Sequence, residues 1–255
     1  MAEIRRRPYL VSFIFALCIP IAGFAQSTRP ATTGPAPSAT QPAIRPTELN
    51  RHEDFLATAR KGDIDLLFLG DSITDFWRRP DRGLSVWQKY FEPLHAANFG
   101  ISGDRTQNVL WRVQNGELEG FKAKCIVLML GTNNLSAGFS VRNSNAQTIA
   151  GLKQVVNEVR QRQPQARLLL LGIFERGVSA SDPYRADLKI VNTELAKWAD
   201  DRNIFYLDIG DKFLLPDGSL NMDLMHDPVH PNTAGYEVWA QAIIGKVKEL
   251  MAMSQ

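Results

Sequence analysis

The chain has 255 residues, a hydrophobic fraction of 44% and a formal net charge of +2. That length and apolar content suit one α/β domain with a substantial core. Arg5, Arg6 and Arg7 set against Glu3 account for the whole excess charge, so residues 26–255 are neutral, and no electrostatic case for a nucleic-acid partner exists.

In chain order, residues 1–25 are predicted to be a secretory signal. Arg5–Arg7 form a basic start, Tyr9 to Ile21 is apolar apart from Ser12 and Pro20, and Gly23-Phe24-Ala25 is a small-x-small site with cleavage expected after Ala25. The apolar run is short for a membrane span of about 20 residues, and Pro20 interrupts it. Leu17 before Cys18 argues against a lipid-modification site. The expectation is an exported protein, periplasmic or extracellular, with no stable membrane partner. Cleavage leaves Cys125 as the one thiol, in the run Cys125–Leu130, where it reads as a buried small hydrophobe.

Residues 26–48 are rich in Pro, Thr and Ala, a composition predicted to give a flexible linker. A helix from Glu48 to Lys61 then leads a domain spanning 49–255. Five runs read as buried strands: Asp65–Leu69, Ala97–Phe99, Cys125–Leu130, Arg167–Ile173 and Ile204–Ile209. The third and fourth are apolar almost throughout, as when both faces of a sheet are covered. Helical patterns fall at Thr106–Asn115, Asn143–Gln163, Arg185–Arg202 and Thr233–Met253. In the second of these, Ile149, Leu152, Val155, Val156 and Val159 recur at three- and four-residue steps until Pro164. Strand–helix alternation predicts a parallel sheet between helical layers, with functional loops at the strand carboxyl ends.

Those ends carry polar chemistry. The first strand leads into Gly70-Asp71-Ser72, the second into Gly100-Ile-Ser-Gly103-Asp104, the third into Gly131-Thr-Asn133-Asn134, and Asp227-Pro-Val-His230 precedes the last helix. A serine hydroxyl needs a base to become a useful nucleophile. A histidine near neutrality is the usual base, and a carboxylate on its second nitrogen fixes the tautomer. Ser72, His230 and Asp227 are therefore the candidate catalytic residues. The N–H groups of Ser72 and Gly103 and the side-chain amide of Asn133 are candidate oxyanion donors. His226 rivals His230 as base, and Asp223 rivals Asp227. His52 and His95 read as structural. No cofactor motif and no metal-ligand cluster is evident.

Gly70-Asp71-Ser72-Ile73, Gly103, Gly131-x-Asn133 and Asp227-x-x-His230 resemble the four blocks of the SGNH (GDSL) hydrolase superfamily. Asn98–Asp104, Val109–Leu118, Gly131–Asn134 and Arg162–Gln165 resemble, more specifically, the catalytic subunits of intracellular platelet-activating-factor acetylhydrolase. The resemblance runs from Asp65 to the C-terminal helix. It implies a three-layer α/β/α sandwich, a flavodoxin-like five-stranded parallel sheet in order 2-1-3-4-5. It also implies metal-free hydrolysis of small acyl esters, with the triad and oxyanion residues named above. Ile73 replaces the leucine of the name motif, Val229 stands beside the base, and the signal-like leader departs from intracellular relatives.

The expected activity is a carboxylic ester hydrolase releasing acetyl or other short acyl groups. O-acetylated carbohydrate is the leading substrate class, by analogy with exported members. Leu135, Phe139, Ile173 and Phe174, at the third and fourth strand ends, are expected to narrow the acyl site. The alternatives are a lysophospholipase or thioesterase of the same mechanism, and a noncatalytic carbohydrate-binding protein on the same fold.

Overall fold

The structure, a computed structural model, describes residues 38–136, 138 and 142–253. The expected signal, residues 26–37 of the expected linker and Phe139 lie outside the described residues. Five strands form one sheet: β1 (Leu66–Gly70), β2 (Ala96–Gly100), β3 (Cys125–Met129), β4 (Arg167–Leu171) and β5 (Ile204–Leu207). Every pairing is parallel and the order is β2-β1-β3-β4-β5. Gly70 pairs in register with Gly100 on one side and Met129 on the other. The carboxyl ends of β1, β2 and β3 are thus level. The chain passes first to one side of β1 and then to the other, which opens a crevice beside β1.

Both faces are covered, and alternate residues of each strand serve opposite layers. Leu67, Leu69, Ile126, Leu128, Leu168 and Leu170 pack with α1 (Leu49–Arg60), α4 (Thr106–Arg112), α5 (Asn145–Arg162) and α6 (Pro183–Ala196). Leu66, Phe68, Cys125, Val127, Leu169 and Leu171 pack with α3 (Leu84–Tyr90) and α7 (Thr233–Ala252). The result is the expected three-layer sandwich.

Three local features depart from the sequence reading. The helix α3 follows no periodicity picked out there, and only its Val86 is buried. The helix expected to run to Arg202 stops at Ala196. Beyond it the Asp200 carboxylate accepts N–H bonds from Arg202, Asn203 and Ile204 at 2.7–3.0 Å, so a side chain competes with helix for the backbone donors. Residues 38–48, assigned by composition to a flexible linker, lie against α4. Ala39 is buried, and its carbonyl accepts from Thr106 Oγ1 at 2.8 Å. Ala43 N donates to Gln107 O at 2.9 Å, and Asn108 Nδ2 donates to Ala43 O at 3.0 Å.

A buried ionic chain joins α1 to the loop after β2. The Arg112 guanidinium donates to Asp104 Oδ2 at 2.8 Å, to the Phe99 carbonyl at 3.1 Å and to Glu117. Glu117 in turn meets His52 Nδ1 at 2.8 Å. Removing one member strands the other charges in a medium that solvates them poorly. Arg112→Met is expected to cost about 3–5 kcal/mol. Urea unfolding checks this, as a lower midpoint with the m-value retained.

Candidate active site

The strand β1 ends in a turn that leaves no room for side chains. A Cβ on Gly70 would lie 2.3 Å from Thr74 Oγ1 and 2.4 Å from the Met129 carbonyl. The backbone then enters α2 (Ser72–Asp75), a single turn capped by the Asp71 carboxylate, which accepts from Ile73 N at 3.1 Å. Ser72 is the first residue of α2, so its N–H has no acceptor within the helix. Two contacts fix this turn on the sheet. Tyr236 Oη, fully buried, donates to the Ile73 carbonyl at 2.6 Å, and Asn98 Nδ2 donates to the Thr74 carbonyl at 2.8 Å.

The loop before α7 supplies the partners. Asp227 Oδ1 accepts the N–H groups of Val229 and His230 at 2.8 and 2.9 Å, and Oδ2 meets His230 Nδ1 at 2.8 Å. One carboxylate thereby folds the turn and orients the ring. His230 Nε2 then lies 2.9 Å from Ser72 Oγ, across 158 residues of sequence. Burial works against ionisation of Asp227. The bonds from His230 and Val229 outweigh it and hold the carboxyl below the usual range. Phe76 packs on the imidazole with ring centroids 5.0 Å apart, and Gly177 N ties the loop to the β4 end through the Pro228 carbonyl at 3.0 Å.

Gly103 and Asn133 are the other two candidate oxyanion residues. Gly103 has φ +82°, in the left-handed region where glycine carries no steric cost. Asn133, buried, donates through Nδ2 to the Asp104 carbonyl at 2.9 Å. An amide nitrogen carries two protons, so a second donor remains on the same group. Asn134 is the hub beneath. Its Oδ1 accepts Thr106 N, and its Nδ2 reaches Thr106 Oγ1 and Asn143 Oδ1, each at 3.0 Å.

Among the described residues the Ser72 hydroxyl meets His230 and neither rival. His226 and Asp223 are exposed, and His226 joins the loop through its N–H to the His230 carbonyl at 2.8 Å. His52 belongs to the buried chain with Glu117, and His95 meets Asp63 Oδ1 at 2.6 Å on the surface. The expected acyl-site residues Leu135, Ile173 and Phe174 are at most 2% exposed and packed in the two cores. They do not face an open pocket. Residues missed in the sequence surround the site instead. Phe76 covers the base, and Arg176 Nη1 donates to Thr132 Oγ1 at 3.1 Å beside Asn133. Their signal was position, one turn beyond Ser72 and a few residues beyond β4, where conformation decides reach.

Burial pushes the Asp71 carboxyl up to about 7. An unfolded aspartate titrates near about 3.9, so ionising Asp71 opposes folding as the pH rises from about 4 towards 7. Asp71→Asn keeps the capping oxygen and removes the charge. It is expected to exceed the parent in stability by a few kcal/mol above neutrality, the difference fading towards about pH 4. Denaturant unfolding across that range checks the direction.

A family model described as the GDSL-like Lipase/Acylhydrolase family matches residues 68–238. Platelet-activating factor acetylhydrolase IB subunit alpha1 of Homo sapiens is 34% identical over 208 residues, covering 81% of this chain and 85% of that one. The alpha2 subunit of Rattus norvegicus is 35% identical, covering 74% and 78%. Among solved structures, an acetyl xylan esterase has a TM-score of 0.60 at 22% identity, over 72% of this chain and 100% of that one. A catalytic serine-to-alanine mutant of an acetylxylan esterase from Geobacillus stearothermophilus has a TM-score of 0.55 at 22% identity, over 74% and 94%. At such identities these two speak for the fold.

Proposed function

The chain belongs to the GDSL-like lipase/acylhydrolase family and is a carboxylic ester hydrolase; from that premise we propose that Ser72, His230 and Asp227 cleave short acyl esters through an acyl-enzyme. The observation that carries the reading is the Ser72 Oγ–His230 Nε2 contact at 2.9 Å, closed by Asp227 on the other ring nitrogen.

Ser72 Oγ attacks the ester carbonyl carbon while its proton passes to Nε2. Asp227 holds the other nitrogen as the donor and balances the imidazolium. The carbonyl oxygen becomes an oxyanion, met by the N–H groups of Ser72 and Gly103 and by Asn133 Nδ2. The imidazolium returns its proton to the leaving alkoxy oxygen, and the alcohol departs. Water, deprotonated by the same imidazole, then attacks the acyl-serine and releases the acid.

The substrate is an acetyl or other short acyl ester, with an O-acetylated carbohydrate as the alcohol half. The Arg176 guanidinium, partly exposed and within electrostatic reach of Asp71 and Asp227, supports a polar alcohol half over a lipid one. The names of the acetylxylan esterase neighbours accord with this. Export rests on the leader pattern in residues 1–25, and a location outside the cytoplasm separates this chain from the substrates of intracellular relatives. Among the described residues no helix is long and apolar enough to cross a membrane.

Ser72→Ala and His230→Ala are each expected to lower turnover of p-nitrophenyl acetate by about four orders of magnitude. His226→Ala should stay within about tenfold of the parent, given that it offers no group to Ser72. The opposite ranking of the two histidines moves the base to His226. An organophosphonate ester is expected to label Ser72 alone, located by peptide mass.

Specificity constants on p-nitrophenyl esters are expected to favour acetyl over longer acyl groups, in accord with the names of the acetylhydrolase and acetyl xylan esterase relatives. A profile still rising beyond about eight carbons marks a lipid hydrolase instead. Acetate release from acetylated xylan, measured alongside, tests the carbohydrate half on its own.

A further inference from the structure

Glycine at position 103 makes the left-handed turn easy, but the same freedom lets the loop adopt other conformations. An oxyanion donor accelerates the reaction to the extent that it is already in place. Something other than Gly103 must therefore select the turn.

The contacts of Arg45 meet that need. Its Nη1 donates to the Ser102 carbonyl at 2.7 Å and to Asp104 Oδ1 at 2.9 Å, gripping the residues on both sides of Gly103. The guanidinium also covers Gly103 itself: a Cβ there would lie 3.4 Å from Nη2. Asp104 is shared three ways. Its carboxylate is held by Arg45 and, from the buried side, by Arg112 Nε at 2.8 Å, while its carbonyl accepts from Asn133 Nδ2 at 2.9 Å. Arg45 is thus one residue from both oxyanion candidates that lie outside α2.

Arg45 is itself held in place. Residues 38–48 run along α4, tied by the bonds of Ala39 to Thr106 and of Ala43 to Gln107 and Asn108. The 3-10 turn Pro46–Glu48 follows at once, with Glu48 Oε1 3.3 Å from Arg45 Nη2. The stretch whose composition reads as linker is a strap anchored on both sides of one arginine.

We propose that Arg45 is a positioning residue that braces the Gly103 loop, and through Asp104 the Asn133 amide, in the geometry that receives the oxyanion. The role rests on the acyl-enzyme reading above. It acts on the transition state, so its loss appears in kcat with the ground-state complex little changed.

The test compares the full chain with Arg45→Gln and Arg45→Lys on p-nitrophenyl acetate. An organophosphonate p-nitrophenyl ester serves as second probe: its nitrophenolate burst counts folded, competent sites, and its inactivation rate reads the oxyanion hole. For Arg45→Gln, kcat per titrated site is expected to fall about tenfold or more, short of the hundredfold or greater loss of a whole donor. KM should stay within about twofold, and the inactivation rate should fall in parallel with kcat. Arg45→Lys keeps a cation for Asp104 and should recover most of both rates, and it supplies the comparison if the glutamine variant does not fold. Unchanged kcat per site in both variants overturns the bracing role. So does a rise in KM alone, or a loss of thermal stability in both with per-site rates intact. A wild-type chain that gives no burst and no turnover removes the acyl-enzyme reading first, and the bracing role falls with it.

Discussion

A guanidinium without water must be neutralised by what surrounds it, and at Arg112 this requirement organises one whole side of the molecule. Arg112 is buried between α1, α4 and the carboxyl end of β2, and its partners are Asp104, Glu117 and the Phe99 carbonyl. Asp104 is drawn inward by that charge, which turns its carbonyl towards Asn133 and its second carboxylate oxygen towards Arg45. Glu117 is drawn in likewise and takes His52 of α1 with it. The loop after β2 is therefore set by electrostatics from beneath, whereas the turn after β1 is set by steric exclusion at Gly70. The two mechanisms meet at Ser72 and Gly103.

The third contributor is nearly self-contained. In Asp227-Pro-Val-His230 the aspartate makes its own turn by accepting two N–H groups and then meets the imidazole it has positioned. Such a local motif needs only to be aimed. Aiming is done by Gly177 against Pro228, and by the Tyr236 hydroxyl, which pins α7 to the turn bearing Ser72. Removing the Tyr236 hydroxyl leaves the Ile73 carbonyl buried without that donor, so the same bond serves both stability and alignment.

The strands and the polar loops at their ends were legible because their signals are local, whereas the order 2-1-3-4-5 came from the family resemblance. Continuous apolar runs mark strands covered on both faces, and short Gly, Asp, Ser and Asn clusters mark where each strand ends. What stayed hidden depends on long-range fit. The composition of residues 38–48 registers the scarcity of large apolar side chains, but those residues bind through main-chain groups and one alanine methyl. Composition does not see either. Leu135, Ile173 and Phe174 sit close to the site in sequence, but their side chains turn into the cores. Phe174, for instance, meets Phe213 and Trp239 there. The helix expected to reach Arg202 ends at Ala196, ahead of the turn that the Asp200 carboxylate builds.

Cys125 opens the central strand β3 with no exposure, and burial pushes its thiol up to about 12. Its sulfur therefore reacts with an electrophile only after the sheet itself has parted, because neither access nor thiolate exists before that. Among the described residues no other cysteine competes for the reagent. The rate of thiol modification is thus a clock for opening of the middle of the sheet.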